Sequence, residues 1–157
     1  MMDGNEIMKL QNRRKISLKS RVQKRNPQED VLEEDRPEVI VDFEYENGLL
    51  FIVIENIGPD SAYDVSEKFD KSISSLQKSK ISSLKIFKSL RFLPPRKKIR
   101  IFVDSYQSYI YNKQPLLIKV DVQFKNKMGK RFKNSILHDL SIYKDLMEID
   151  STFSKTK

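Results

Sequence analysis

The chain has 157 residues, 38% apolar and 33% charged, with a net charge of +8, which bounds it to one domain with a modest core, a heavily solvated surface and at most a tail. It has no cysteine and a single histidine, His138, so disulfides, Cys-based zinc sites and thiol nucleophiles are excluded, and Ser–His or Cys–His catalysis and His-built metal sites lack their parts. No apolar run approaches the ~20 residues that span a bilayer and the N-terminus has no apolar stretch of the signal-peptide kind, so the expected location is cytoplasmic by default.

Charge is unevenly spread. Residues 1–37 hold 9 basic and 7 acidic residues, residues 38–70 hold 1 and 9, and residues 71–157 hold 20 and 6. Such asymmetry has two readings: a basic binding face, or strands of opposite charge lying beside each other in one sheet.

Residues 1–37 read as a charged tail or linker, disordered or partly helical. Between Ile7 and Pro27 stand eight basic residues and no acidic one, and Gln28–Asp35 then reverses the sign. Apolar residues are too sparse to drive folding there, and the run is either a solvated linker or an arm for an anionic surface. Arg36-Pro37 closes it, because the residue before proline is pushed toward extended geometry.

Strands begin at residue 38. Val39, Val41, Phe43 and Tyr45 alternate with Ile40, Asp42, Glu44 and Glu46, the period of a half-buried strand whose acids face outward and discourage edge pairing. Asn47-Gly48 is a hairpin signal, and Leu49–Ile54, apolar on both faces, suits a central strand. The run then breaks at Ile57-Gly58-Pro59-Asp60. This predicts a corner between two sheets: Asn56 ends the strand, Gly58 turns the backbone through a left-handed conformation, Pro59 cannot extend a ladder, and small Ala62 re-enters close packing. A third strand follows, with Tyr63, Val65 and Phe69 sharing one face and Glu67 the odd member.

Residues 71–83 are rich in Ser and Lys and read as a loop. Residues 81–92 fit a short helix or a short strand equally well. Pro94-Pro95 ends that element, and Ile99, Ile101 and Val103 mark the next strand. Ser105–Pro115 reads as a loop bearing Tyr106, Tyr109 and Tyr111, which could supply a protein-binding patch or stack on bases. Ile118, Val120, Val122 and Phe124 alternate cleanly with polar residues, Asn126–Gly129 turns the chain, and Arg131–Leu140 returns as the last strand. The remainder, 143–157, reads as a polar tail that frays. About seven short strands with turn signals and no βα alternation predict an all-β fold, an antiparallel sandwich, over residues 38–142.

The spacing Asn56-x-Gly58-x-x-x-Ala62-x-x-Val65 after an apolar strand resembles the CARDB-type and related immunoglobulin-like or fibronectin-III-like prokaryotic modules. Leu93-Pro94-Pro95 followed by Ile99-x-Ile101 is similar to the bend before a strand in that family, although Arg96 stands where glycine is usual. The likeness covers residues 38–142 and implies an immunoglobulin-like sandwich of the kind found in short prokaryotic proteins. It carries over no shared catalytic residues, and such sandwiches serve many roles.

The remaining candidates are chemical. Asp60, Asp64, Asp70 and Glu55 could meet near the corner, but without calcium-loop spacing they read as solvated turns. His138 shares a face with Phe132 and Ile136, a structural position. The basic residues Arg96, Lys97, Lys98 and Arg100, with Lys125, Lys127, Lys130, Arg131 and Lys133, form an anion-binding candidate if the Pro94-Pro95 bend and the late hairpin share one end of the sandwich. The expectation is a non-enzymatic interaction module, without metal, cofactor or small-molecule substrate, acting on a protein partner. The alternative is a binder of nucleic acid or anionic lipid through its basic half.

Overall fold

The computed structural model describes residues 36–75 and 77–155, and the basic arm expected before Arg36 lies outside the described residues. Seven strands form two antiparallel sheets. Strands β1 (Val39–Glu46), β2 (Leu49–Asn56) and β5 (Lys98–Ser105) make a sheet in the order β1-β2-β5. Strands β3 (Ala62–Phe69), β4 (Leu90–Leu93), β6 (Leu117–Lys125) and β7 (Arg131–Asp139) make the other, ordered β4-β3-β6-β7. The chain crosses between sheets after β2, after β4 and after β5, as in immunoglobulin-like sandwiches.

The alternation read from the sequence sets which side chains face inward. Val39, Val41 and Phe43 of β1, Leu50, Ile52 and Ile54 of β2, and Ile118, Val120, Val122 and Phe124 of β6 are all buried in one cluster, each burial worth about 1.5–3 kcal/mol. Asn47 and Gly48 both take positive φ, 49° and 79°, and hold β1 and β2 in register from Glu46↔Leu49 to Val39↔Asn56. Along one side the two sheets are stitched together by Asn134, whose Nδ2 donates to Glu38 Oε1 at 2.7 Å and to the Val39 carbonyl at 3.0 Å.

Several segments differ from their expected form. Residues 81–92 hold both predicted elements: a 3₁₀ turn at Ile81–Ser83, a helical turn α1 (Lys85–Lys88) and then β4. The expected tyrosine loop is a helix, α2 (Tyr106–Tyr111), capped by Ser105, whose Oγ accepts from Ser108 N at 3.1 Å. Tyr106 and Tyr109 sit at i and i+3, turn into the core and are fully buried. Their hydroxyls donate to the carbonyls of Leu140 (2.7 Å) and Pro115 (2.5 Å). The segment expected to fray forms α3 (Tyr143–Ser154), because Tyr143 stacks on Tyr45 at 5.6 Å and donates to the Phe43 carbonyl at 2.5 Å. Among the described residues no helix is long and apolar enough to cross a membrane.

Strand β3 departs from simple alternation. Asp64 has φ 48° and the pairing with β6 shifts between Tyr63 and Ser66, a bulge that inserts one residue. Ala62 and Val65 therefore both face inward, and Tyr63 is turned out of the face it was expected to share with Val65. Glu67 is carried inward, 7% exposed, with neither carboxyl oxygen hydrogen-bonded.

Candidate functional site

The strand directions bring four connecting segments to one end of the sandwich: the entry at Arg36–Glu38, the corner 56–61, the bend 94–97 and the β6–β7 turn 126–130. Asn56, fully buried, ties three of them together. Its Oδ1 accepts from Glu38 N (3.2 Å) and Gly58 N (3.1 Å), and its Nδ2 donates to the carbonyls of Asp60 (2.8 Å) and Leu93 (3.0 Å). All four hydrogen-bonding positions of the amide are filled. Its backbone adds Asn56 N to the Lys97 carbonyl at 3.1 Å and Arg96 N to the Asn56 carbonyl at 2.8 Å.

Gly58 does make the corner, but not through a left-handed conformation, since the positive-φ glycines of the described chain are Gly48 and Gly129. A β-carbon at position 58 would stand 2.5 Å from both the Arg36 oxygen and the Glu38 nitrogen. The glycine is there to let the entering strand pass. Pro59 and Ala62 complete the turn, with Ala62 fully buried opposite Leu93. Conversely, Arg96 takes φ 60°, so the bend keeps the left-handed residue that glycine would supply at a cost of about 1 kcal/mol.

The nine basic candidates do not act alike. Lys98 and Arg100 stand on β5 and are spent on β1, across β2: Lys98 and Arg100 both bind the Glu44 carboxylate, and Arg100 also binds Glu46. Glu44 holds the Lys98 ammonium above its ordinary pKa through that hydrogen bond. The Arg100 guanidinium lies 3.7 Å from the centre of the Phe51 ring between them, a cation–π contact. These two residues belong to the acidic outer face of the three-stranded sheet, and of the two readings of the charge asymmetry they satisfy cross-strand pairing.

Of the others, five, Arg96, Lys97, Lys127, Lys130 and Arg131, are exposed at the corner end. Lys127 is 4.0 Å from Asp60; the other four make no ion pair among the described residues. Lys130 and Arg36 approach the Phe132 ring at 5.5 and 5.8 Å, at the rim between the sheets. The last two candidates stand on the sheet itself: Lys125 pairs with Asp64 at 2.9 Å, and Lys133, exposed on the outer face of β7, makes no ion pair among the described residues. The positive field of that outer face extends along the sheet: the Asp121 carboxyl is held below its ordinary pKa by the Ser135 hydroxyl, helped by Lys119, Lys133 and Lys68.

Here the register adds residues that no motif pointed to. Phe92 of β4 pairs with Tyr63 of β3, Tyr63 with Lys125 of β6, and Lys125 with Arg131 of β7. Phe92 is 50% exposed and its ring lies 5.4 Å from that of Tyr63. Beside this row is an open depression of about 560 Å³ whose lining includes Asp64, Ser66, Gln123, Lys125, Arg131 and Lys133. Alternation on β6 and β7 already places Lys125, Arg131 and Lys133 on one face; the aromatic pair needs the strand order. The tyrosines proposed for protein binding lie at the opposite end, and of the three only Tyr111 is exposed. Among the described residues no group of three or more His, Asp or Glu side chains is placed to hold a metal ion.

Comparison with known proteins gives a family and no closer relative. No curated protein and no solved structure matches the chain. The model described as "Domain of unknown function (DUF8453)" matches residues 11–144, and the chain belongs to that family. The match takes in all seven strands and ends two residues into α3.

Proposed function

We propose that this family member is a non-enzymatic interaction module, a sandwich of the CARDB-like or fibronectin-III-like kind, that works by surface contact. The contact surface is the basic corner end, and the partner surface that meets it is anionic. The observation that carries this reading is the gathering of Arg96, Lys97, Lys130, Arg131 and Lys133 at one end, exposed and, among the described residues, without an acidic neighbour in ion-pair range. Paired surface charges contribute little to any partner, whereas unpaired ones release counterions when they meet a polyanion. A protein contact through the three tyrosines is the weaker reading, because Tyr106 and Tyr109 are core residues.

Immobilised heparin, eluted with a salt gradient, tests this. The chain should be retained at low salt. Lys97→Gln with Lys130→Gln should elute clearly earlier and with a shallower salt dependence. Lys98→Gln with Arg100→Gln removes the same formal charge from the paired group and should elute close to the parent. Flow-through of the parent at low salt, or equal shifts for the two variants, would reject the assignment of the basic end.

A further inference from the structure

We infer that the outer face of the four-stranded sheet, at its basic end, binds single-stranded nucleic acid. Bases stack on Phe92 and Tyr63, and phosphates lie along Lys125, Arg131 and Lys133. This rests on the polyanion reading above and narrows it to one class.

The argument is the composition of a single cross-strand row. Phe92, Tyr63, Lys125 and Arg131 are consecutive partners across β4, β3, β6 and β7, a row about 14 Å wide at the usual strand spacing. One half is aromatic and the other half cationic. Phe92 keeps half its surface in water on an edge strand, with its ring tilted 49° against that of Tyr63, so two adjacent rings offer stacking surface at the same place on the sheet. The next pairs along the sheet add Ser66↔Gln123 and Gln123↔Lys133, which line the adjoining depression and offer hydrogen bonds to base edges or phosphate. Stacking platforms beside a positive groove are what sequence-tolerant single-strand binders use. The rings sit on strands of the sheet face, not on a helix or ribbon that could enter a duplex groove, so they reach only unstacked bases. Two carboxylates oppose the site: Asp121, two residues along β6 from Gln123, interacts with Lys133, and Asp64 holds Lys125 at 2.9 Å. Asp64 and Lys125 are partly exposed, and a phosphate takes the place of the Asp64 carboxylate when bound.

Fluorescence anisotropy with labelled oligothymidylate, oligouridylate and a mixed-sequence duplex tests the inference, with heparin elution as the charge-only reference. Either single strand should bind at least several-fold tighter than the duplex, and the tighter of the two identifies DNA or RNA as the source. Phe92→Ala should weaken single-strand binding about tenfold, the usual loss for one stacked base. Asp64→Asn, which retains a side chain tolerant of positive φ, should tighten it several-fold by freeing Lys125. Equal binding of duplex and single strand, or an unchanged affinity in folded Phe92→Ala, overturns the inference while heparin retention leaves the polyanion reading standing. Loss of heparin retention by the parent chain overturns both.

Discussion

At position 58 the backbone of Arg36–Glu38 runs so close that a β-carbon would meet it at 2.5 Å. Gly129, by contrast, has φ 81° and open space around its missing side chain. The two glycines should therefore fail differently. Gly58→Ala forces the entering strand away from Asn56 and should cost about 3 kcal/mol, the upper range for overpacking; Gly129→Ala strains one exposed turn and should cost about 1 kcal/mol. Urea unfolding of the two variants separates them. Glu67 makes the second prediction at this scale. Burial raises its carboxyl pKa to about 8 from 4.5. The folded state therefore binds a proton that the unfolded state has released between those values, and stability falls as pH rises from about 4.5 to about 8. Glu67→Gln should remove that slope, roughly 1 kcal/mol per pH unit at its steepest, leaving the variant more stable than the parent at pH 8 and nearly equal to it at pH 4. His138 works in the opposite sense. Burial lowers its pKa below 6.5, so its contribution is present in full above that value and is lost as pH falls from there through the lower folded pKa.

Among the elements, α3 is held by few contacts. Tyr143 donates to the Phe43 carbonyl, its ring stacks on Tyr45 and meets Tyr106 edge-on at 6.0 Å, and Tyr45 Oη donates to Asp150 at 2.5 Å. Ile142, Leu146 and Ile149 beside these contacts stay exposed. Such an element opens at low cost and independently of the core. Tyr143→Phe keeps the ring and removes one hydrogen bond, so it should weaken docking by about 1 kcal/mol. Hydrogen exchange should then quicken over 143–154 and stay unchanged in β2 and β6; equal acceleration in those strands would show that the helix is part of the global cooperative unit. Both unexpected helices left traces in the sequence. Ser105 before Tyr106, Tyr109 and Ile110 is a cap followed by i, i+3, i+4 spacing, and Tyr143, Met147 and Asp150 repeat at helical intervals. These signals were outweighed because a six-residue helix carries too few periods to stand out from a loop, and because α3 is polar over most of its surface.

For the molecule as a whole, charge is sorted by sheet. The outer face of β1-β2-β5 holds Asp42, Glu44 and Glu46 with Lys98 and Arg100 drawn onto two of them, while at the corner end and on the outer face of β6 and β7 Lys119, Lys125 and Lys127 meet Asp121, Asp64 and Asp60 and Arg96, Lys97, Lys130, Arg131 and Lys133 make no ion pair among the described residues. Cross-strand pairing thus accounts for Lys98 and Arg100, and the binding-face reading is the one proposed for the cations of the corner end. Because the Lys98 and Arg100 pairs are exposed, removing both should cost no more than about 1 kcal/mol. The Lys98→Gln, Arg100→Gln variant should accordingly melt within a few degrees of the parent, which makes it a sound control for the heparin experiment.

The sequence by itself determined every strand but β4, the inward faces except at the β3 bulge, the two-sheet architecture and the corner at 56–62. These depend on alternation and turn chemistry between residues close in the chain, which act the same way wherever the strands go. It also placed a basic cluster in the second half. Only the tertiary structure decided which cations stay free, that Tyr106 and Tyr109 are core, why residue 58 must be glycine, and that Phe92 and Tyr63 adjoin Lys125 and Arg131. Each of these turns on a neighbour supplied by a distant segment: Glu44 for Arg100, Leu140 for Tyr106, Arg36 for Gly58, β3 between β4 and β6. Local pattern carries no information about which strand lies next to which, and at this site that adjacency is what assembles the surface.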